Sequence, residues 1–281
     1  MPVKTEAHAP MIRSTREEHR SSNGLFYRTA GKGPPVLLLH GMMATGVMFD
    51  PLTEQLQDRF QLIVPDLRGH GRSQNLPRPY DVPGLAADLG PLLAEAGATR
   101  CAVLGYSHGG AVAQQFAHDR PERVNRLLLA CTYACNVATR REQIEAKVAV
   151  LLLTIMSTRS LVRLIVRPSA SRHGGPVGLD ARQAAWLRDL MSVNRSWSMR
   201  DVARGMASFD SRTWLGDLKV PTLVIGGTHD TGVPRHHFDM LVAAIPEARG
   251  IIVENAGHTL LWTHTREFTD IVKSELSQPD P

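Results

Sequence analysis

Five consecutive residues, Gly105-Tyr106-Ser107-His108-Gly109, constrain this chain more than any others. They follow the apolar run Ala102-Val103-Leu104 and precede a stretch, 111–118, with helical spacing. A chain that leaves a buried strand and enters a helix within so few residues must turn sharply. Side chains two positions either side of the serine would collide in such a turn, and both positions are glycine. The serine then sits on a strained backbone with its hydroxyl projecting above the strand end. That conformation costs about 1–3 kcal/mol and persists only where neighbours hold it. Gly110 and Ala111 let the following helix lie close to the strand.

The apolar run before this turn is one of six, at 36–39, 60–64, 102–104, 127–130, 222–225 and 251–253. Short apolar runs bounded by turn residues suit strands buried on both faces. Helical spacing over 85–96, 111–118 and 236–244 separates most of them, and a helix over 265–276 closes the chain. Strand alternating with helix makes this an α/β fold with a parallel sheet covered on both faces. Ser21-Ser22-Asn23-Gly24 predicts a β-hairpin at its start. The rhythm breaks between the fourth and fifth runs. There, helices are expected over 139–156, 160–166, 180–193 and 199–206, with a Ser/Gly/Pro-rich loop over 168–178. A structureless connection of that length would be unusual. The expected organisation is a disordered tail (1–10), a core domain (11–132 and 219–277) and a helical cap domain (133–218).

The bulk properties remove several function classes. The 281 residues are 43% hydrophobic and 21% charged, ordinary for a soluble globular protein. Net charge is +5, but the basic residues are scattered and no groove-reading motif occurs, so no nucleic-acid partner is expected. Cys101, Cys131 and Cys135 form no CxxC pair, and the polar N-terminus has no signal-peptide core. These read as reduced thiols in a cytoplasmic protein. The greasiest stretch, 148–156, is too short to span a bilayer, which takes about 18 apolar residues or more, so no membrane partner is expected. Homo-oligomerisation stays open.

A serine hydroxyl is a poor nucleophile until a base takes its proton. Of twelve histidines, His258 follows Asn255-Ala256-Gly257 directly after the last apolar run, on the same rim of the sheet as Ser107. His236 and His237 begin a helix, His264 opens the last one, and His70 belongs to an Arg-Gly-His-Gly-Arg turn. The acid that orients the base is expected at Asp230, after Gly227-Thr228-His229, with helix capping as its competing assignment. Donors to a developing oxyanion are expected from the backbone N–H groups of His108 and Met42, with Met43 as alternative to Met42. The two methionine side chains would shape the pocket floor.

Taken in order, His40-Gly41-Met42, the segment 66–73 (Asp-Leu-Arg-Gly-His-Gly-Arg-Ser), the glycine-flanked serine, Gly227-Thr228-His229-Asp230 and Gly257-His258 resemble the successive motifs of the α/β-hydrolase fold family. The resemblance implies an eight-stranded, mostly parallel sheet with a helical cap inserted after the sixth strand, and a site without cofactor or metal. Some relatives place the acid after the preceding strand; here that position reads Cys131-Thr132-Tyr133-Ala134, without a carboxylate. A serine at the turn, where dehalogenases and epoxide hydrolases of this fold have aspartate, resembles the carboxylesterase and lactonase branch. His108 departs from the methionine or tryptophan commoner there. The expected function is a serine hydrolase cleaving small-to-medium, mainly apolar esters or lactones through an acyl-enzyme. Met43, Tyr106 and Trp186 would touch the substrate, and the greasy helix would either line the acyl pocket or pack on the core. The alternatives are a carbon–carbon bond hydrolase, with Arg163, Arg167 or Arg172 holding a substrate carboxylate, and a small-molecule receptor with little turnover.

Overall fold

The computed structural model describes residues 16–168 and 178–279, so the expected tail at 1–10 and most of the expected loop at 168–178 lie outside the described residues. Eight strands form one sheet: β1 (Glu17–Arg20), β2 (Phe26–Ala30), β3 (Pro35–Leu39), β4 (Gln61–Pro65), β5 (Cys101–Tyr106), β6 (Val124–Ala130), β7 (Thr222–Gly227) and β8 (Arg249–Val253). Their order is β1-β2-β4-β3-β5-β6-β7-β8. The pairs β1–β2 and β2–β4 are antiparallel and the other five are parallel. The expected opening hairpin is β1–β2, turned at Gly24 with φ 85°.

Burial explains why the central strands carry no polar alternation. Leu37, Leu38 and Leu39 of β3, and Val103 and Leu104 of β5, are fully buried because helices cover both faces. The helices outside the β6–β7 connection are α1 (Asp50–Leu56), α2 (Val82–Ala87), α3 (Leu89–Glu95) and α4 (His108–Asp119). Between β6 and β7 come α5 (Arg140–Ile155), α6 (Thr158–Ile165), α7 (Ala181–Ser192) and α8 (Ser196–Ala207), followed by α9 (Arg235–Ala244), α10 (Leu260–Thr263) and α11 (Thr265–Leu276). The one helix expected over 85–96 is two, broken at Asp88, whose buried carboxylate accepts from Arg68 and Asn23. Its start also moves forward to Val82, because the Asp81 side chain caps the Gly84 N–H at 2.9 Å.

The chain steps from β3 outward to β4, then returns past β3 to β5. Such a reversal marks the C-terminal strand ends where ligands bind in open α/β sheets. Ser107 lies at this point, directly after β5.

The long β6–β7 connection holds four α-helices, three of them with a local start signal. Thr139 and Glu142 form a capping box on α5, Asp180 and Gln183 another on α7, and Ser157 caps α6. The greasy part of α5 takes neither role expected of it wholesale. Leu153 is buried, Val150 and Leu152 are half-buried, and Val148, Leu151 and Ile155 face solvent. No helix among the described residues is long and apolar enough to cross a membrane. All three cysteines are free and buried.

Backbone crowding gives a testable contrast between two glycines. A Cβ on Gly109 would fall 2.1 Å from the Leu39 carbonyl oxygen, whereas one on Gly90 would meet nothing within 4 Å. Gly109→Ala should lower the urea midpoint by the equivalent of about 1–3 kcal/mol or more, from overpacking. Gly90→Ala, at a compatible helical position, should be neutral or stabilise by up to about 1 kcal/mol. Equal midpoints for the two variants would show that the turn relaxes freely.

Candidate active site

Ser107 has φ 54° and ψ −121°, a left-handed backbone that a non-glycine residue keeps only under constraint. Its N–H donates to the Ala130 carbonyl at 2.9 Å. Its carbonyl accepts from the Gly110 N–H at 2.9 Å and from Thr132 Oγ at 2.6 Å. Cβ atoms at Gly105 or Gly110 would fall 2.4 Å from the Gly109 carbonyl oxygen and 2.5 Å from Thr132. Close approach of α4 to β5, β3 and the end of β6 is therefore what fixes the serine. It also explains why α4 begins at His108, three residues before its apolar spacing starts.

From this position Ser107 Oγ lies 3.1 Å from His258 Nε2, and His258 Nδ1 lies 3.0 Å and 3.1 Å from the two Asp230 oxygens. The Asp230 carboxylate is 4% exposed, and its Oδ1 also accepts the N–H groups of Gly232 and Val233 at 2.9 Å and 2.8 Å. The carboxylate thus pins the turn before α9 and faces the imidazole, while α9 itself starts at Pro234 without a side-chain cap. The His258 loop is braced from below: the Tyr106 hydroxyl donates to the His258 carbonyl at 2.6 Å. Gly232 leaves room for the ring, since a Cβ there would lie 2.8 Å from it.

The loop after β3 passes over the serine. A Cβ on Gly41 would come within 3.7 Å of Ser107 Oγ, so the Gly41-Met42 backbone borders the space where a reacting carbonyl would sit. Met42 is half-buried. Met43 is buried in a left-handed conformation (φ 62°), and its carbonyl accepts from Asn194 Nδ2 at 2.5 Å. Asn194 Oδ1 also accepts the Gly71 N–H at 2.8 Å, so one residue between α7 and α8 joins two core loops. Sequence reasoning missed Asn194, because nothing local distinguishes it from a surface asparagine.

Tyr106, expected to touch substrate, is 2% exposed and braces His258 instead. Trp186 packs edge-on to Trp262 at 5.9 Å, and Trp262 in turn lies against Tyr106. Arg163 and Arg167 are exposed, and Arg172 lies outside the described residues. Cys131, at the rim position that lacks a carboxylate, has φ 48°. Its Sγ, an Asp230 oxygen and a His258 ring nitrogen all lie within 4.8 Å of one another.

The His108 side chain is fully buried in a row of three imidazoles. His40 and His70 meet edge-on at 4.9 Å, and His70 and His108 lie 6.4 Å apart. His40 Nδ1–H donates to the Gly41 carbonyl at 2.9 Å and its Nε2 accepts the Leu67 N–H at 2.9 Å, which fixes one neutral tautomer. Burial pushes His40 down to about 4 and His108 down to about 3, and lowers His70 as well. His108 Nδ1 faces the Tyr133 hydroxyl at 3.3 Å.

A second group of potential metal ligands among the described residues is Glu142, His236 and His237. One Glu142 oxygen lies 2.9 Å from both imidazoles, while the other accepts the Thr139 N–H. The carboxylate sits at the N-terminal turns of α5 and α9, whose dipoles favour an anion over a cation. The group is a hydrogen-bonded bridge between α5 and α9.

The buried imidazoles predict acid lability with a definite sign. Between about pH 6.5 and pH 3 the unfolded chain binds protons that the folded chain refuses. Stability is therefore full above pH 6.5 and falls on acidification, by at most about 1.4 kcal/mol per pH unit for each histidine. His108→Met should flatten the acid limb of a Tm-against-pH curve. An unchanged limb would mean that His108 is already protonated in the fold.

The sequence matches the family described as alpha/beta hydrolase fold over residues 34–196 and 204–265. The chain is 30% identical over 273 residues to an uncharacterized protein of Mycobacterium tuberculosis, covering 91% of this chain and 79% of that one. It is 31% identical over 250 residues to a poly(3-hydroxyalkanoate) depolymerase of Ectopseudomonas oleovorans, covering 87% and 84%. A solved thermophilic esterase from Thermogutta terrifontis superposes with a TM-score of 0.77 at 26% identity, covering 93% of this chain and 97% of that one. With its eight-stranded sheet and the serine turn after β5, the chain belongs to the alpha/beta hydrolase fold family.

Proposed function

We propose that this protein is a serine hydrolase that cleaves carboxylic esters or lactones through an acyl-enzyme. One observation carries the reading: the unbroken hydrogen-bond chain from Ser107 Oγ through His258 to a buried Asp230 carboxylate. Ser107 attacks the carbonyl carbon as its proton passes to His258 Nε2, and Asp230 stabilises the imidazolium that forms. The N–H groups of Met42 and His108 take the oxyanion, and their fixed backbone positions mean little reorganisation when charge develops. His258 then protonates the leaving alkoxide. In the second half, His258 activates water to release the acid and restore Ser107.

Residues 133–218 act as the cap of this reading, over a core of 11–132 and 219–277. Asn194 ties the segment to the loops of Met43 and Gly71, and Gln183 Nε2 donates to the Trp262 carbonyl at 2.8 Å, close to the brace of His258. The cap thereby contacts both the loop after β3 and the helix beside the His258 loop. Relatives named as a depolymerase and an esterase support ester cleavage as the reaction class. Met42, Met43 and Trp186 favour small-to-medium, mainly apolar substrates.

Hydrolysis of p-nitrophenyl acetate, butyrate and octanoate tests the reading. Ser107→Ala should lose about 10⁶ in turnover, as removal of the serine does in comparable triads. A wild type inactive on all three esters, or a Ser107→Ala variant that keeps its activity, would end it.

Asp230→Asn should lose about 10⁴ in turnover, because the amide favours the wrong imidazole tautomer. Adding Cys131→Asp should recover part of that loss. The new carboxylate would stand at the rim of β6 beside His258, on a left-handed backbone that aspartate tolerates better than most residues. If Asp230→Asn retains near wild-type turnover, Asp230 serves only to pin the turn before α9.

A further inference from the structure

The outer face of α5 carries Ile144, Val148, Leu151 and Ile155, which are 63%, 46%, 56% and 67% exposed. Their spacing of four, three and four residues places them on one side of the helix, in a stripe about 16 Å long. The opposite side of α5 packs on α8. The next helix, α6, leaves Leu164 and Ile165 exposed as well. Single exposed aliphatic residues need no explanation, but a continuous row on one helix marks an interaction surface.

Charge identifies what the row fits. At 100° per residue, Arg140 and Lys147 flank the stripe on one side and Arg141 on the other, all of them exposed. Arg159, Arg163 and Arg167 follow, also exposed. Residues 139–168 hold six cations against two carboxylates. Glu142 is buried against His236 and His237, and Glu145 pairs with Arg141 at 2.7 Å. An apolar stripe with a cationic margin is the pattern of a helix lying in the plane of a lipid interface, aliphatic side chains inward and guanidinium groups at the anionic headgroups.

We propose that the α5–α6 face docks this protein on anionic lipid surfaces. A second copy of the chain is a poorer occupant, because two-fold pairing of this face would bring like cationic margins together. Nothing in the proposal requires a spanning segment. The expectation of no membrane partner rested on the absence of one, and an interfacial helix needs only its outer face.

Cosedimentation with vesicles tests this independently of turnover. The probes are phosphatidylcholine vesicles with and without 30 mol% phosphatidylglycerol, at about 0.1 M salt, where surface charge still acts over about 10 Å. The wild type should partition at least tenfold more strongly to the anionic vesicles. Ile144→Ser/Leu151→Ser and Arg140→Gln/Lys147→Gln should each lose most of that binding at unchanged Tm, with hydrolysis of a short soluble ester unchanged. Equal partition to both vesicles, or none to either, would overturn the proposal. So would a wild-type dimer in solution that Ile144→Ser/Leu151→Ser converts to monomer, since the stripe would then be a self-interface. Loss of Ser107-dependent turnover with retained vesicle binding would strike only the hydrolase reading.

Discussion

The left-handed backbone at Ser107 exists because the sheet and α4 leave it no alternative. The Ala130 carbonyl, Thr132 Oγ and the Gly110 N–H hold its peptide groups, while Gly105, Gly109 and Gly110 let α4 approach β3, β5 and the end of β6. Any side chain at those glycines would push the helix away. The hydroxyl would then lose its place opposite His258. Strain stored here costs about 1–3 kcal/mol, and the surrounding buried strands offset it many times over. The position of the serine is therefore a property of helix-on-sheet packing more than of the five-residue turn alone.

The same economy recurs around the turn, where individual side chains serve both fold and site. Asp230 closes the turn before α9 and faces the imidazole. Tyr106 fills the core and supports the His258 carbonyl. His40 joins the β3 and β4 loops while the backbone beside it borders the serine. Such sharing couples stability to geometry, so that few substitutions near Ser107 affect only one of them. The three buried imidazoles extend the coupling to pH. They keep the loops packed while neutral, and acid is resisted only as long as burial outweighs protonation.

The segment between β6 and β7 faces two environments. Inward, Asn194 reaches the loops of Met43 and Gly71, and Gln183 and Trp186 meet Trp262 of α10. Outward, α5 presents aliphatic side chains to solvent between basic ones. A helix so divided cannot be sorted by hydrophobicity alone, which is why the greasy stretch at 148–156 was legible as a helix but not in its role. Its apolar residues exceed what α8 can cover, and the excess points away from the core.

Local chemistry was enough to read the strand–helix alternation, the serine turn and the rim residues Asp230 and His258 from the sequence. Glycine placement, short apolar runs and helix caps act over a few residues and leave their marks in order along the chain. The break in the helix at Asp88, the burial of Tyr106 and His108, the neighbourhood of Cys131 and the bridge made by Asn194 were decided only in three dimensions. Each depends on contacts between residues far apart in sequence: Asn194 meets Met43 across 151 positions and Tyr106 meets His258 across 152. No periodicity records such a meeting. The sequence alone determined the alternation of strand and helix and which residues lie at the sheet's rim. Tertiary packing decided which of them touch, because burial and hydrogen bonding are properties of the neighbours a side chain acquires on folding.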